Sequence, residues 1–522
     1  MSDHDIPNSE PPAAQPPEPK CRAVGGTEYS WCKAVPLGTG VTVLGLLLSK
    51  PPDLPLLQNA LHNLQNSHPI LRSKLHYDPA TTTFSFLTPA NPQPLLQIQP
   101  FDLQSTSRIL QTHANQSSSV TPFRLIVEHE INNNTTWRNP EHPLYADKDV
   151  MYASVYALSE AQWALTLRLH TAACDRTAAV SLLRELLEFV TAMSGNGEGV
   201  EREIGDNVEV NLGIEQMIPA GKANKPFWAR GIDMLGYSLN SFRLSNLDFI
   251  DVDSPKRSQL VRLQMTPLDT QKLLAGCKSR GIKLCAALAA AGLIAAYSSK
   301  KLPDYQREKY AVGCKSRGIK LCAALAAAGL IAAYSSKKLP DYQREKYAVV
   351  TLIDCRSILD PVLSSHHIGF YHSAIMNTHD ISAEEQLWEL ANRCYTSFAN
   401  AKNSNKHFSD MSDLNFLMCK AIENPTLTPS SSMRTALVSV FEDPIDDFSK
   451  IHQQLGIEDY VGCASAHGVG PSIAIFDTIR NGGLDCTCVY PSPLHSREQM
   501  QGLIDDMRRI LVDACNQLGS ES

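Results

Sequence analysis

Apolar and polar positions in this chain switch repeatedly between a period of two and a period near 3.6. Val41–Leu48 is a β-rich apolar run, and directly after it Leu54, Leu57, Leu61 and Leu64 recur at helical spacing. Leu71–Tyr77 and Thr83–Leu87 predict strands. Within Trp163–Leu169, Trp163, Leu165, Leu167 and Leu169 alternate with Ala164, Thr166 and Arg168, as along a strand. Val180–Val190 follows as an amphipathic helix. Ser472–Ile479 and Leu484–Tyr490 flank Arg480-Asn481-Gly482-Gly483, a strong hairpin signal. Ser496 with Gln499 reads as a capping box, opening a last helix with Met500, Leu503, Ile504, Met507, Ile510 and Leu511 on one face. Such mixing predicts an α/β or α+β sandwich in two halves.

The pattern also sets boundaries. Residues 1–20 hold six prolines and almost no aliphatics, so they predict a disordered tail that cannot offset its ordering entropy. An N-terminal half is expected over 21–195, a linker or crossover over 196–255, and a C-terminal half over 256–517. The C-terminal half contains an exact tandem duplication of 37 residues, 276–312 and 313–349. Solenoid repeats drift in sequence and need about three copies to build a core, so two identical copies are read as a recent duplication or a gene-model artefact. The fold needs one alanine-rich helix here. Tyr347-Ala348-Val349-Val350-Thr351-Leu352-Ile353 continues as a strand, whereas Tyr310-Ala311-Val312 runs into Gly313 and a basic turn. The second copy is therefore expected to supply the strand, while either could supply the helix.

Composition narrows the function. With 43% hydrophobic and 19% charged residues the 522-residue chain has a globular balance, and its net charge of −7 argues against binding a phosphate backbone. No apolar run reaches the roughly 20 residues of a membrane span. The acidic, Pro-rich start is no secretory signal, so the glycosylation sites at Asn115, Asn133 and Asn134 are not expected to be used. Fourteen cysteines include no Cys-x-x-Cys pair, and Cys486 and Cys488 alternate on one strand face. They read as buried free thiols in a reducing cytosol, with no metal.

Three stretches carry a resemblance. Leu64-Gln65-Asn66-Ser67-His68-Pro69-Ile70-Leu71-Arg72 precedes Leu167-Arg168-Leu169-His170-Thr171-Ala172-Ala173-Cys174-Asp175-Arg176, and Asp354-Cys355-Arg356-Ser357 precedes Ile368-Gly369-Phe370-Tyr371. In order and spacing they resemble the CoA-dependent acyltransferase and condensation-domain superfamily, over roughly 21–515 less one repeat. The resemblance implies two chloramphenicol-acetyltransferase-like halves around a central tunnel. It also implies attack of an alcohol or amine on an acyl thioester of CoA or a carrier arm. The family's His-His-x-x-x-Asp-Gly motif falls at His170–Arg176: His170 matches the first His, Thr171 the second, which is the base, Asp175 the Asp, and Arg176 replaces the Gly. By the same resemblance Asp175 is structural and pairs with Arg356. The plant BAHD motif Asp-Phe-Gly-Trp-Gly is missing, Asp447-Phe448-Ser449 being at best a remnant, which points to the condensation and alcohol-acyltransferase side.

A threonine hydroxyl is no general base near neutral pH, and that role contributes about 10²–10⁴ in rate. Neighbouring strand residues face opposite ways, so Thr171 is expected to face the tunnel and His170 to face away. Three functions follow: an acyltransferase-like protein with weak or lost transfer; an active enzyme using His170 or His467 as base; and a non-catalytic ligand-binding or interaction protein. No permanently bound cofactor is expected, only acyl-CoA as co-substrate and a monomeric chain. The plainer alternatives are structural: a core His170, a turn His68, an incidental His467 in a Gly-rich loop, a polar loop for His366, His367 and His372 rather than a metal cluster, and a Cys174 thiol opposed by Asp175.

Overall fold

The computed structural model describes residues 19–89, 96–113, 120–138, 147–194, 210–300, 344–382, 385–425, 433–446 and 455–517. Three sheets and the helices between them form a mixed α/β architecture. The N-terminal sheet runs, in spatial order, Ile457–Ala466, Thr39–Leu48, Gln162–His170, Met151–Ser159, Ile98–Phe101. The C-terminal sheet runs His372–Ile381, Glu345–Asp354, Arg434–Phe441, Gly470–Arg480, Gly483–Ser492, Arg257–Gln264, with Ile445–Asp446 added beside Gly470–Arg480. A third sheet joins Lys20–Ala23, Thr83–Thr88, Lys74–Asp78 and Lys148–Asp149. Lys20 thus opens a strand rather than closing a tail, and residues 1–18 lie outside the described residues.

Local chemistry explains most elements. Asp53 caps the helix Leu54–Ser67 by accepting the Leu56 N–H at 3.0 Å, and Leu57, Leu61 and Leu64 face inward. The expected strand Leu71–Tyr77 starts late: Pro69–Arg72 is a 3₁₀ turn, because Pro69 presets its first residue, and the strand is Lys74–Asp78. Gln162–His170 pairs on both sides, Val41 opposite His170 and Met151 opposite Leu169. Both its edges are therefore paired, and both its faces are covered as well, for the polar set Thr166 and Arg168 is as buried as the apolar one. The hairpin turns at Asn481 (φ 48°) and Gly482 (φ 78°), with Arg480 facing Gly483; two positive φ values match the twist of the flanking strands. Only half of the capping box forms. Ser496 Oγ accepts the Gln499 N–H at 3.1 Å, but the Gln499 amide reaches out to the Asp248 carbonyl instead.

The helix Leu284–Ser299 comes from the first repeat and the strand Glu345–Asp354 from the second; residues 301–343 lie outside the described residues. Alanine at most positions lets this helix pack closely, and it is buried from Leu284 to Tyr297 but for Ile294. It lies beneath the C-terminal sheet, against Leu387–Asn403 and Arg497–Gln517. Among the described residues no single helix is long and apolar enough to cross a membrane. The segment read as a linker, 196–255, carries a helix Phe227–Arg243 in its described part. Cys486 and Cys488 are buried free thiols whose pKa burial raises.

The halves are laced together by Ile457–Ala466. It leaves the C-terminal half and pairs antiparallel with Thr39–Leu48, Cys463 opposite Val43, before the chain returns as Gly470–Arg480.

Candidate active site

The strand Gln162–His170 ends at the junction of the halves and passes through a 3₁₀ turn, Thr171–Ala173, into the helix Arg176–Ser194. The turn separates its first residues sharply. His170 is completely buried: its ring meets Trp137 edge-on at 5.3 Å, and Nδ1 accepts the Ala172 N–H at 3.2 Å. Burial pushes its pKa down to about 3. Thr171 instead lines a cavity of about 520 Å³ between the halves, its hydroxyl 2.8 Å from that of Thr42. Opposite it the backbone comes close at Gly40. With φ +92°, and with a Cβ there falling 2.8 Å from the Trp31 ring and 3.3 Å from Thr171 Cβ, only glycine fits without displacement.

Asp175 ends the turn and is buried at the junction. Arg356 approaches from the other half, Nη1 to Oδ2 at 2.9 Å and Nη2 donating to Oδ1 at 3.1 Å. The same carboxylate accepts the Ala178 N–H (2.8 Å), capping the helix, and the Tyr371 N–H (2.7 Å). Burial works to raise its pKa, but Arg356 and then His372 outweigh this and hold it well below the usual carboxylate range. Arg356 also holds Asp354 (3.1 Å) and the His367 carbonyl (3.2 Å), so one guanidinium fixes the loop between two strands. Arg176, where glycine was expected by resemblance, lies on the cavity wall. It pairs with the fully buried Asp477 at 3.1 Å and covers the Phe441 ring at 4.1 Å.

These features sit on a fold with solved counterparts. Neither a family model nor a curated protein sequence matches the chain. Among solved structures, it is similar to the TRI3 trichothecene 15-O-acetyltransferase of Fusarium sporotrichioides, with TM-score 0.64 and 11% identity over 97% of this chain and 100% of that one. It is also similar to polyketide synthase associated protein 5 of Mycobacterium tuberculosis, with TM-score 0.55 and 13% identity over 95% and 100%. A third is the first condensation domain of the calcium-dependent antibiotic synthetase, with TM-score 0.56 and 13% identity over 94% and 95%. The likeness is one of fold: this chain shares the mixed α/β fold of these acetyltransferase and condensation-domain structures.

On this fold, the two histidines weighed as substitute bases do not reach the cavity. His170 is turned into the core. His467 sits in the turn where the chain returns to the C-terminal sheet, with Nδ1 3.0 Å from Ser258 Oγ. Its ring packs so tightly on Gly38 that a Cβ there would fall 1.9 Å from Nε2. Burial, with Arg434, Arg138 and Lys256 nearby, pushes its pKa down to about 3. Arg434 donates to the carbonyls of Ala466, Gly468 and Pro471, so the Gly-rich loop is a joint of the fold.

Cys174 is buried, and its pKa is raised by burial and by Asp175. His68 Nε2 is 2.8 Å from Glu185 in the turn after the second helix. Among the described residues no His, Cys, Asp and Glu gather as a metal site; His367 Nδ1 accepts the Ser364 N–H at 3.1 Å. Asp447-Phe448-Ser449 lies outside the described residues. His372, expected in a polar loop with His366 and His367, is instead buried at the start of the strand His372–Ile381 and lines the cavity. The sequence reading missed the apolar wall formed by Met376, Met411, Met418, Tyr460 and Phe476. Met411 and Met418 lie on one short helix, the remainder on strands far apart in the chain.

Proposed function

We propose that this chain is an acyltransferase-like protein. Its cavity takes an acyl thioester, on CoA or a carrier arm, together with a small alcohol or amine, and transfer through the motif's own position is weak or absent. The observation that carries this is the placement of Thr171. It occupies the cavity wall with its hydroxyl engaged by Thr42, while the neighbouring imidazole of His170 is sealed in the core. Without an imidazole at position 171 the attacking group loses a proton acceptor worth about 10²–10⁴ in rate. A cavity of about 520 Å³, whose wall includes Met376, Met411, Met418, Tyr460 and Phe476, favours an apolar acyl chain or acceptor.

Binding and turnover separate the parts of this reading. Acyl-pantetheine and acyl-CoA of increasing chain length are titrated against the protein by calorimetry, and thiol release is followed with an alcohol and amine panel. Saturable binding that tightens with chain length, with slow transfer, is expected. Failure of every thioester to bind would leave only an interaction protein.

A further inference from the structure

The cavity wall holds an imidazole that the motif does not include. Among the described residues, His372 is the one histidine lining it. It begins the strand His372–Ile381 in the C-terminal half, opposite Asp354 in the ladder. Its ring is held between Phe370 (6.2 Å) and the edge of Phe441 (5.8 Å, 86°). Only 5% of the side chain is exposed. Nδ1 lies 3.0 Å from Asp175 Oδ2, off the line of a hydrogen bond, and is otherwise a buried polar atom without a partner. Nε2 has no hydrogen-bond partner among the described residues.

We infer that His372 is the general base of this cavity, taking from the C-terminal wall the role that Thr171 cannot fill on the N-terminal wall. The inference rests on the reading that the cavity binds an acyl thioester and an acceptor. Asp175 favours the tautomer with the proton on Nδ1, which leaves the Nε2 lone pair for the acceptor. Contacts of this kind are commonly misaligned before substrate closes a site. The acceptor's O–H or N–H proton passes to Nε2 as its oxygen or nitrogen attacks the thioester carbonyl carbon. The tetrahedral intermediate then collapses, the C–S bond breaks, and the thiolate takes the proton back from Nε2. An ester or amide and a free thiol result, and the imidazole is regenerated.

The charges around the ring are mixed. Asp175 faces it from the start of one helix, with Arg356 behind that carboxylate. Arg176 lies on the same Phe441 ring, and Asp354 stands opposite in the strand pair. The test uses the whole chain, acyl-pantetheine as the probe shared by CoA and carrier arms, and acyl-CoA as the arm that tells those sources apart. Wild type should transfer with a rate that rises with pH. His372→Gln should bind acyl-pantetheine as wild type does, lose about 10²-fold or more in rate, and lose that limb of the profile. An unchanged rate and profile in His372→Gln, or a wild type that binds acyl-pantetheine but transfers nothing, overturns the inference alone. Should His372→Gln not fold, the wild-type profile decides: a rate that does not rise with pH overturns it. Wild type that binds neither probe sinks the underlying reading and this inference with it.

Discussion

Asp175→Ala removes the carboxylate on which the junction converges. Arg356 would be left buried, its side chain 4% exposed, with only Asp354 and carbonyl oxygens around it. Breaking a buried ion pair from one side costs about 3–5 kcal/mol. The Ala178 N–H loses its cap, about 1 kcal/mol, and the Tyr371 N–H loses its acceptor, about 1–3 kcal/mol. These losses share groups and do not add fully, so about 4–6 kcal/mol is expected in all. At about 2.1 cal/mol/K per residue, a cooperative transition of 522 residues has an unfolding entropy near 1.1 kcal/mol/K. The melting temperature should then fall by about 4–6 °C in scanning calorimetry. Asp175→Asn keeps an acceptor for the two N–H groups and should fall less. Asp175→Ala with Arg356→Met should recover part of the loss, since the stranded charge goes too. The pH arm has a definite sign. The folded pKa of Asp175 lies below its unfolded value of about 3.9, so the stabilisation is complete above that value and is lost as pH falls below it. Wild type and Asp175→Ala should therefore converge in acid. An unchanged melting temperature, or a double variant no more stable than Asp175→Ala, refutes the pairing as a source of stability.

Thr171→His placed in the His372→Gln background should return transfer by about 10²–10⁴ if an imidazole on either wall can serve, read as thiol release from acyl-pantetheine. Adding Arg176→Gly to recreate the motif's turn leaves Asp477 buried without its ion-pair partner, a loss of about 3–5 kcal/mol, so it should be tolerated only together with Asp477→Asn, as thermal melts will show. Gly40→Ala should destabilise by about 2–4 kcal/mol, from left-handed backbone at φ +92° and the Trp31 ring behind it; an unaltered urea midpoint would contradict that. Deleting residues 276–312 should give a chain at least as stable as the parent, because residues 313–349 repeat the deleted sequence and the described helix and strand together draw on one repeat's worth of chain; unfolding on deletion would show that both copies are needed.

The local elements were legible because they depend on local periodicity. Alternation along Trp163–Leu169, leucines at helical spacing in 54–64 and the Asn481-Gly482 turn each restrict a few neighbouring dihedral angles, and the chain folds accordingly. His170 and Thr171 do part as expected, but Thr171 already lies in the 3₁₀ turn after the strand, so the turn and not strand alternation separates them. The Asp175–Arg356 contact was reached only by resemblance, since it spans 181 positions. Tertiary structure alone decided the rest. It sent Ile457–Ala466 out of its own half to pair with Thr39–Leu48, buried the polar face of Gln162–His170, and bound Arg176 to Asp477 across 301 positions. It also set His372 beside Asp175 on the cavity wall while burying His467 in a joint. Periodicity says which way a side chain leaves its own backbone. Which groups meet across a cavity is set by strand order and register between segments hundreds of residues apart, and no local pattern carries that information.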